Sequence, residues 1–141
     1  MALRSYNFST VQLIIGAARI GGFGDDGGIS IEPSADHIVG TVGADGEPTI
    51  SRLSDFSETA TITLKETSLS NAILETILAA QTLLGGVAYN VPFLMSDVET
   101  GEKVSSQQCA IMGLPSVGKA SEAGEREWKV WLPVGIPTFA I

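Results

Sequence analysis

The stretch from residue 58 to residue 66 has the sequence Glu-Thr-Ala-Thr-Ile-Thr-Leu-Lys-Glu, in which apolar and polar residues alternate. Ala60, Ile62 and Leu64 fall on one side of an extended chain, while the threonines and Lys65 fall on the other. A repeat of two residues buries one face of a sheet and exposes the other. This stretch therefore predicts a mostly β fold, in the form of an antiparallel sandwich or barrel.

Segments on both sides of this stretch have the composition of strands separated by turns rich in glycine and proline. The predicted strands cover residues 11–15, 19–23, 29–32, 37–42, 87–95, 103–112 and 127–132. In the last strand, Trp128, Val130 and Leu132 are predicted to point inward. We predict a long, polar loop over residues 42–55, which carries many turn-forming residues.

One α-helix is predicted to flank the strands. Ser70 is placed to cap its N-terminus, and Leu69 and Leu74 have the spacing of a hydrophobic staple. The pair Gly85-Gly86 marks its end. Its apolar stripe is predicted to consist of Ile73, Leu74, Ile77 and Leu78.

The chain has 141 residues, with 16 acidic and 8 basic side chains and a formal net charge of −8. This length fits a single domain over residues 1–141, with an N-terminal arm at 1–8 and a C-terminal tail at 133–141. An acidic chain without a basic patch is not expected to bind nucleic acid stably.

The mean hydropathy of +0.26 and the charged fraction of 17% are unusual, because about 25% is typical of a soluble domain. The most apolar stretch, residues 72–95, is interrupted by polar residues, glycines and a proline, which argues against a membrane span. The first residues lack the pattern of a signal peptide. Extensive contact between subunits is the better explanation of the apolar excess. The single cysteine, Cys109, fits assembly in a reducing cytoplasm.

No catalytic, cofactor or metal site is predicted. Residues 113–119 match the phosphate-loop spacing G-x-x-x-x-G-K, but Ala120 stands where a Mg²⁺-binding serine or threonine is required, and a glycine-rich surface loop is the better interpretation. His37 is the one histidine, so a histidine cluster is excluded. Cys109 lies in an apolar segment and is predicted to be buried and inert.

Acidic residues dominate the segment from residue 25 to residue 58, where Arg52 is the one basic residue. They form either an ordinary solvated surface or a face that passes DNA without binding it, because phosphates bind by exchanging counterions for lysine and arginine. The candidate channel-facing acids are Asp25, Asp26, Glu32, Asp36, Asp45, Glu47, Asp55 and Glu58.

The chain resembles the tail tube proteins of contractile-tailed bacteriophages, a family of short phage structural proteins. The similarity rests on an ordered series of segments that covers nearly the whole chain. These are the Met-Ala-Leu start with Tyr6, Val11-Gln12-Leu13-Ile14-Ile15-Gly16, Ile20-Gly21-Gly22-Phe23, Val42-Gly43-Ala44-Asp45-Gly46-Glu47, Thr59-Ala60-Thr61-Ile62-Thr63-Leu64, Thr67-Ser68-Leu69-Ser70-Asn71 and Gly124-Glu125-Arg126-Glu127-Trp128.

The resemblance implies a tail-tube-like β-sandwich or barrel with a flanking helix. It implies hexameric rings whose sheets join into one inner barrel and which stack into a tube. It further implies a sheath around the tube, a tape-measure protein inside it, and a baseplate and a tail terminator at its ends. The resemblance also implies that the tube conducts genomic DNA without specific binding and that it is part of a virion tail assembled in the host cytoplasm.

Apolar residues in the long loop and in the terminal segments are predicted to contact other subunits: Tyr6, Phe8, Ile50, Leu53, Phe139 and Ile141. Two other functions remain open. One is the tube of a related injection machine, such as a tailocin or a type VI secretion system. The other is a monomeric β-sandwich binding module, although only 6% of the residues are aromatic. An enzyme is disfavoured, because no set of nucleophile, base and metal ligands is present.

Overall fold

A computed structural model describes residues 8–24, 28–85, 89–133 and 136–138 of the chain. Within these residues the chain is mostly β, with one α-helix, α1, at Ser70–Leu84 and a 3₁₀ turn at Phe8–Thr10. The strands are β1 Val11–Ile15, β2 Ala18–Ile20, β3 Ile29–Pro33, β4 Ile38–Val42, β5 Pro48–Arg52, β6 Glu58–Lys65, β7 Phe93–Asp97, β8 Lys103–Ser106, β9 Ala110–Ile111, β10 Glu125–Leu132 and β11 Ile136–Thr138.

Two antiparallel sheets enclose the core. A five-stranded sheet has the order β11-β8-β7-β1-β2, and a four-stranded sheet has the order β3-β6-β10-β9. Strands β4 and β5 form a separate two-stranded sheet. The inward residues of the two larger sheets join in a single buried cluster with Leu74 of α1. The prediction of an antiparallel β-sandwich with a flanking helix is therefore confirmed.

Strands β6 and β10 form the longest ladder, with eight residue pairs from Glu58↔Leu132 to Lys65↔Glu125. The inward apolar side chains of both strands are fully buried, as their alternating sequences predict. These residues are Ala60, Ile62 and Leu64 in β6 and Trp128, Val130 and Leu132 in β10.

Helix α1 lies beside both sheets and is fixed by side-chain amides. The Trp128 indole Nε1 donates to the Asn71 Oδ1 at 3.0 Å, which ties the start of the helix to β10. Near the other end, the buried Gln81 amide bonds both main-chain polar groups of Ile111, at 3.1 and 3.2 Å. The next residue along, Met112, donates its N–H to Lys129 in β10. Because neighbouring residues of a strand bond in opposite directions, Gln81 occupies the outer edge of β9.

The start of α1 differs from the prediction. Ser70 does not cap the helix, because its Oγ accepts a hydrogen bond from the N–H of Gly21 at 3.0 Å. The predicted staple is also wrong, since Leu69 is 87% exposed whereas Leu74 is buried. Ser68 instead accepts the Ser70 N–H with its Oγ at 3.2 Å and donates its Oγ–H to the Gly21 carbonyl at 2.7 Å, so one hydroxyl binds the start of the helix both locally and to the segment after β2. The predicted apolar stripe of the helix does face the core.

Two predicted strands are interrupted because the chain crosses between the sheets inside them, and a third begins late because of a proline. The segment predicted at 19–23 ends as a strand at Ile20, and Phe23 forms an isolated bridge with Leu64 in the other sheet. The segment predicted at 103–112 divides into β8 in the five-stranded sheet and β9 in the four-stranded sheet. Among the described residues 89–95 of the segment predicted at 87–95, the strand begins at Phe93, directly after Pro92, which has no N–H to donate.

Replacing the buried tryptophan of β10 is expected to destabilise the subunit far more than replacing the exposed one. Trp128→Ala removes a fully buried side chain and should lower the free energy of unfolding by about 3–5 kcal/mol. Trp131→Ala, three residues along the same strand and 40% exposed, should cost about 1 kcal/mol. Urea denaturation of both variants measures the difference, and equal losses would contradict the inward assignment of Trp128.

Candidate assembly surfaces

A β-hairpin projects from the four-stranded sheet, at the position where the sequence predicted a loop over residues 42–55. Strands β4 and β5 pair from Ile38↔Arg52 to Val42↔Pro48, so the loop prediction is wrong for this segment. The N–H groups of Ser34 and Leu53 donate to the carbonyls of Ser57 and His37, both at 2.9 Å. The bond of Ser34 continues the pairing of β3 with β6 into the base of the hairpin, and the bond of Leu53 extends the β4–β5 ladder by one pair. We call residues 34–57 the hairpin arm.

A tight turn closes the tip of the hairpin arm. The N–H of Gly43 donates to the Glu47 carbonyl at 3.0 Å, and the Asp45 carboxylate accepts the N–H of Glu47 at 3.1 Å. Gly46 has a φ of +84°, a left-handed conformation that favours glycine. The turn-forming residues 43–47, which suggested a loop in the sequence, therefore form only the short turn between two paired strands.

The two faces of the β4–β5 hairpin differ in polarity. Ile38, Val42 and Ile50 share one face by the strand register and are 64%, 71% and 72% exposed. Pro48 and Arg52 lie on the same face, with Arg52 at its edge opposite Ile38. The other face carries mainly hydroxyl groups, from Thr41, Thr49 and Ser51. A two-stranded hairpin is marginally stable by itself in water. An exposed apolar face on such an arm is typical of a surface that binds another protein.

The base of the hairpin arm is held by side-chain contacts. The rings of His37 and Phe56 are 4.8 Å apart in an edge-on arrangement. The Asp55 carboxylate accepts the Oγ–H of Ser57 at 2.6 Å and its N–H at 3.0 Å, and the hydroxyl bond is the main cause that lowers the pKa of Asp55. Asp55 therefore stays ionised and shapes the turn into β6.

The structure spreads the candidate acids along the hairpin arm and its base. Glu32, Asp36, Asp45, Glu47 and Asp55 are all exposed, and their position on a channel wall stays a prediction. Glu58 is half-buried and shares the inward side of β6 with Ala60, whereas Glu32 lies on the outward side of β3, so these two acids do not share a face. The other two candidates, Asp25 and Asp26, lie outside the described residues.

The candidate contact residues fall in three environments. Ile50 is exposed on the apolar face of the hairpin, and Leu53 is partly exposed where the arm joins its base. Phe8 is half-buried and packs its ring against Phe23 within the same subunit, with centroids 5.1 Å apart. Contact of these residues with another subunit stays a prediction. Tyr6, Phe139 and Ile141 lie outside the described residues.

Several exposed apolar side chains lie outside the predicted contact set. Leu83 and Leu84 at the end of α1 are 83% and 69% exposed, and Leu114 and Val117 stand out from the loop after β9. The high mean hydropathy was the only sign of these residues in the sequence, because no periodic pattern marks them. They enlarge the apolar surface available to other proteins.

The segment that resembles a phosphate loop is a surface loop without a following helix, as the sequence predicted. Its Lys119 forms an ion pair with Glu66, and the same carboxylate accepts the N–H of Gly124 at 3.0 Å. The bond from Lys119 is the main cause that lowers the pKa of Glu66. The lysine of the motif thus fastens the loop to the end of β6. We call Glu66, Lys119 and Gly124 the loop anchor.

The described part of the chain offers few groups suited to catalysis or metal binding. Cys109 is buried, and burial raises the pKa of its thiol to about 11, so the thiol is protonated and a poor nucleophile at neutral pH. Across the described ranges, no group of three or more histidine, cysteine or acidic residues is placed to hold a metal ion. No helix in this part is long and apolar enough to cross a membrane.

Comparison with models of protein families identifies the family of the chain. The sequence model of the family described as bacteriophage PhiTE tail tube protein matches residues 7–136. The chain belongs to this tail tube family. The resemblance found in the sequence is therefore confirmed, and so is the assignment to a structural rather than an enzymatic class. A comparison with curated protein sequences gives no match.

Solved structures of contractile injection systems share the fold of this tail tube protein. The cap of the anti-feeding prophage, which terminates its tube, matches with a TM-score of 0.64 and 11% identity over 99% of this chain and 95% of that chain. A chain of the PVC sheath–tube complex matches with a TM-score of 0.61 and 12% identity over 92% and 88%. A chain of the PVC sheath/tube terminator matches with a TM-score of 0.62 and 11% identity over 98% and 99%.

The loop anchor of the tail tube protein should open in acid. The pKa of Glu66 is lowered from its ordinary value of 4.5. The ionised carboxylate therefore stabilises the loop anchor fully above pH 4.5, and this stabilisation is lost as the pH falls through the lowered pKa. Amide hydrogen exchange at Gly124 should therefore be slower in the wild type than in Glu66→Gln at neutral pH. This difference should disappear in acid. Glu122→Gln, in the same loop, is the control and should behave as the wild type at every pH. A difference between wild type and Glu66→Gln that persists in strong acid would contradict the anchor.

Proposed function

We propose that this tail tube protein is the repeating subunit of a phage tail, assembled as hexameric rings that stack around a channel for DNA. The observation that carries the proposal is the hairpin arm, whose apolar face is exposed in the single subunit. Burying this face against the adjacent ring removes apolar surface from water and supports the two-stranded hairpin. Ile50, together with Ile38 and Val42, makes this contact.

The charge of the chain supports a conducting role. Each subunit carries a net charge of −8, and a ring repeats that charge around its axis. The exposed acidic residues extend from the end of β3 to the tip of the hairpin arm. A negatively charged surface cannot replace the counterions of DNA phosphates, so it gains no binding energy from their release. DNA therefore passes through the tube without binding to it.

The assembled tube has partners at each surface. A sheath surrounds it, a tape-measure protein fills it before ejection, and a baseplate and a terminator close its ends. The structural neighbours support this arrangement, since they include chains of a PVC sheath–tube complex and of a PVC sheath/tube terminator. The tail forms in the host cytoplasm, where a free cysteine such as Cys109 stays reduced.

A second candidate function is favoured by the same neighbours. The fold is similar to the cap that terminates the anti-feeding prophage tube, so the chain is alternatively the end piece of a tube or a subunit of a related contractile injection system. A repeating subunit forms long polymers, whereas an end piece stops at a single ring. The length of the assembly therefore separates the two functions.

The purified chain at high concentration is expected to form hollow tubes of variable length. Electron microscopy shows their shape, and sedimentation run on the same sample gives the fraction that is assembled. Single rings that never lengthen would favour the end piece, and a strictly monomeric species at every concentration would refute the proposal.

The apolar face of the hairpin arm should be required for assembly but not for folding. Ile50→Asp places a charge on this face and removes a contact worth about 1.5–3 kcal/mol when buried, which raises the concentration needed for assembly roughly tenfold or more. Ser51→Asp, the next residue on the opposite face, is the matched control and should assemble close to normally. Sedimentation measures assembly, and urea denaturation should give the same subunit stability for both variants. Equal assembly of the two variants would exclude this face from the contact.

A further inference from the structure

We infer that a cleft beside Trp131 binds the apolar segment Phe139-Ala140-Ile141 of a second copy of this chain. The inference rests on the proposed tube, and it names the surface that receives this segment when subunits join. Four features of the molecule carry it: the lining of the cleft, the composition of the segment, the direction of β11, and the way in which identical subunits stack.

The cleft has a volume of about 400 Å³, and its lining includes Tyr89, Gln108, Trp131 and Pro133. We call it the aromatic cleft. Its described lining residues include no charged side chain. Trp131 and Tyr89 are 40% and 41% exposed, so both rings stay partly in water in the single subunit. Tryptophan and tyrosine are the residues that most often dominate binding between proteins, which makes this cleft a candidate docking site.

The two tryptophans of β10 differ in their hydrogen bonds. The indole N–H of Trp128 donates to Asn71 at 3.0 Å, whereas that of Trp131 has no acceptor among the described residues. An indole N–H that is removed from water needs an acceptor. The group that covers Trp131 must therefore supply an acceptor together with apolar surface. A peptide segment supplies both, through its carbonyls and its side chains.

The composition of the segment matches that of the aromatic cleft. Residues 130–141 carry no charged side chain, and residues 139–141 have the sequence Phe-Ala-Ile. When an uncharged segment enters an uncharged cleft, no charge is buried without a partner. The apolar face of the hairpin arm is a poorer match, because Arg52 lies at its edge and the described lining of the cleft offers it no carboxylate.

The subunit's own segment does not reach its aromatic cleft. Strand β11 runs antiparallel to β8 and brings Thr138 opposite Lys103, at the start of β8. The cleft lies beyond the other end of β8, where residues 108–111 line it, and the strand itself separates the two by about 10 Å. A reversal of the chain takes about four residues, and three extended residues span about 10 Å. Residues 139–141 therefore cannot turn back and fill the cleft of their own subunit.

A second copy can present its segment through the stacking of identical subunits. Stacked rings repeat every subunit in the same orientation, so one end of each copy meets the opposite end of the next. The aromatic cleft and Thr138 lie at opposite ends of the β8–β11 pair. They also lie on the same side of the subunit, because β11 flanks β8 and the chain passes from β8 directly to β9. Head-to-tail stacking therefore brings residues 139–141 of one copy to the cleft of another.

Disulfide trapping between separately prepared variants tests the contact. Tyr89→Cys places a thiol in the aromatic cleft, and Phe139→Cys places one in the segment. Leu69→Cys is the control, because Leu69 is 87% exposed and lies at the opposite end of α1 from the cleft residue Gln81. Two variants are mixed as subunits, assembled into tubes, oxidised and run on a denaturing gel. The native Cys109 is buried with a raised pKa, and its background is measured in a mixture of wild type with Phe139→Cys.

In tubes, Tyr89→Cys with Phe139→Cys should give roughly tenfold more covalent dimer than Leu69→Cys with Phe139→Cys, a difference equivalent to about 1.4 kcal/mol. Should Tyr89→Cys not assemble, Gln108→Cys in the same cleft takes its place. Tubes in which neither cleft variant is trapped, or in which Leu69→Cys is trapped equally, would overturn the contact and leave the tube standing. If the wild type forms no tubes at all, the proposed function fails, and this contact fails with it.

The fluorescence of Trp131 gives a second reading of the same contact. In the wild type, acrylamide should quench Trp131 several-fold less in tubes than in subunits, because the segment covers its ring. Trp128 is fully buried in the subunit already, so the variant Trp131→Phe should show little change on assembly. Equal quenching of the wild type in tubes and in subunits would overturn the contact.

Discussion

The eight residue pairs between β6 and β10 hold the other parts of the subunit in position. Their inward side chains make up one wall of the core, and fully buried groups such as Trp128 and Ile62 fix the two strands against the opposite sheet. Three attachments begin at the ends of this ladder. The hairpin arm leaves before Glu58, the loop anchor uses Glu66, and α1 is tied to it through Asn71. A distortion of the β6–β10 pairing would therefore displace the surfaces that are proposed for assembly.

The sequence correctly predicted the strands and the helix that have one buried side and one exposed side, because burial requires their apolar residues to recur at regular spacing. Strands β6 and β10 and the apolar stripe of α1 were identified because a core on one side leaves a clear period of two or of about four residues. Strand β4 was predicted at residues 37–42, but its partner β5 was missed because both faces of the hairpin are exposed, so no buried partner imposes a pattern, and Pro48 suggests a turn. The start of α1 was missed for a different reason, since Ser68 and Ser70 bond to Gly21, which is remote in sequence.

The candidate assembly surfaces could likewise be predicted only in part from the sequence. Ile50 could be proposed from the sequence because it is an apolar residue in a polar segment, and it is exposed in the structure. The carboxylates of Glu125 and Glu127 could not be assigned to a face with Glu32, because their common side depends on the pairing of β3, β6 and β10. Composition predicted an apolar surface for partners, whereas only the strand register shows which side chains share a face.

The side chain of Gln81 has a consequence for the order of folding and assembly. Its amide takes the place of a neighbouring strand at Ile111, where the main chain would otherwise be open to any passing extended segment. This protection exists only after α1 has docked, because Gln81 lies near the end of the helix. A partly folded chain therefore has a reactive edge that the finished subunit lacks. Docking of the helix therefore closes this edge of the four-stranded sheet and protects the folded subunit there against uncontrolled strand addition.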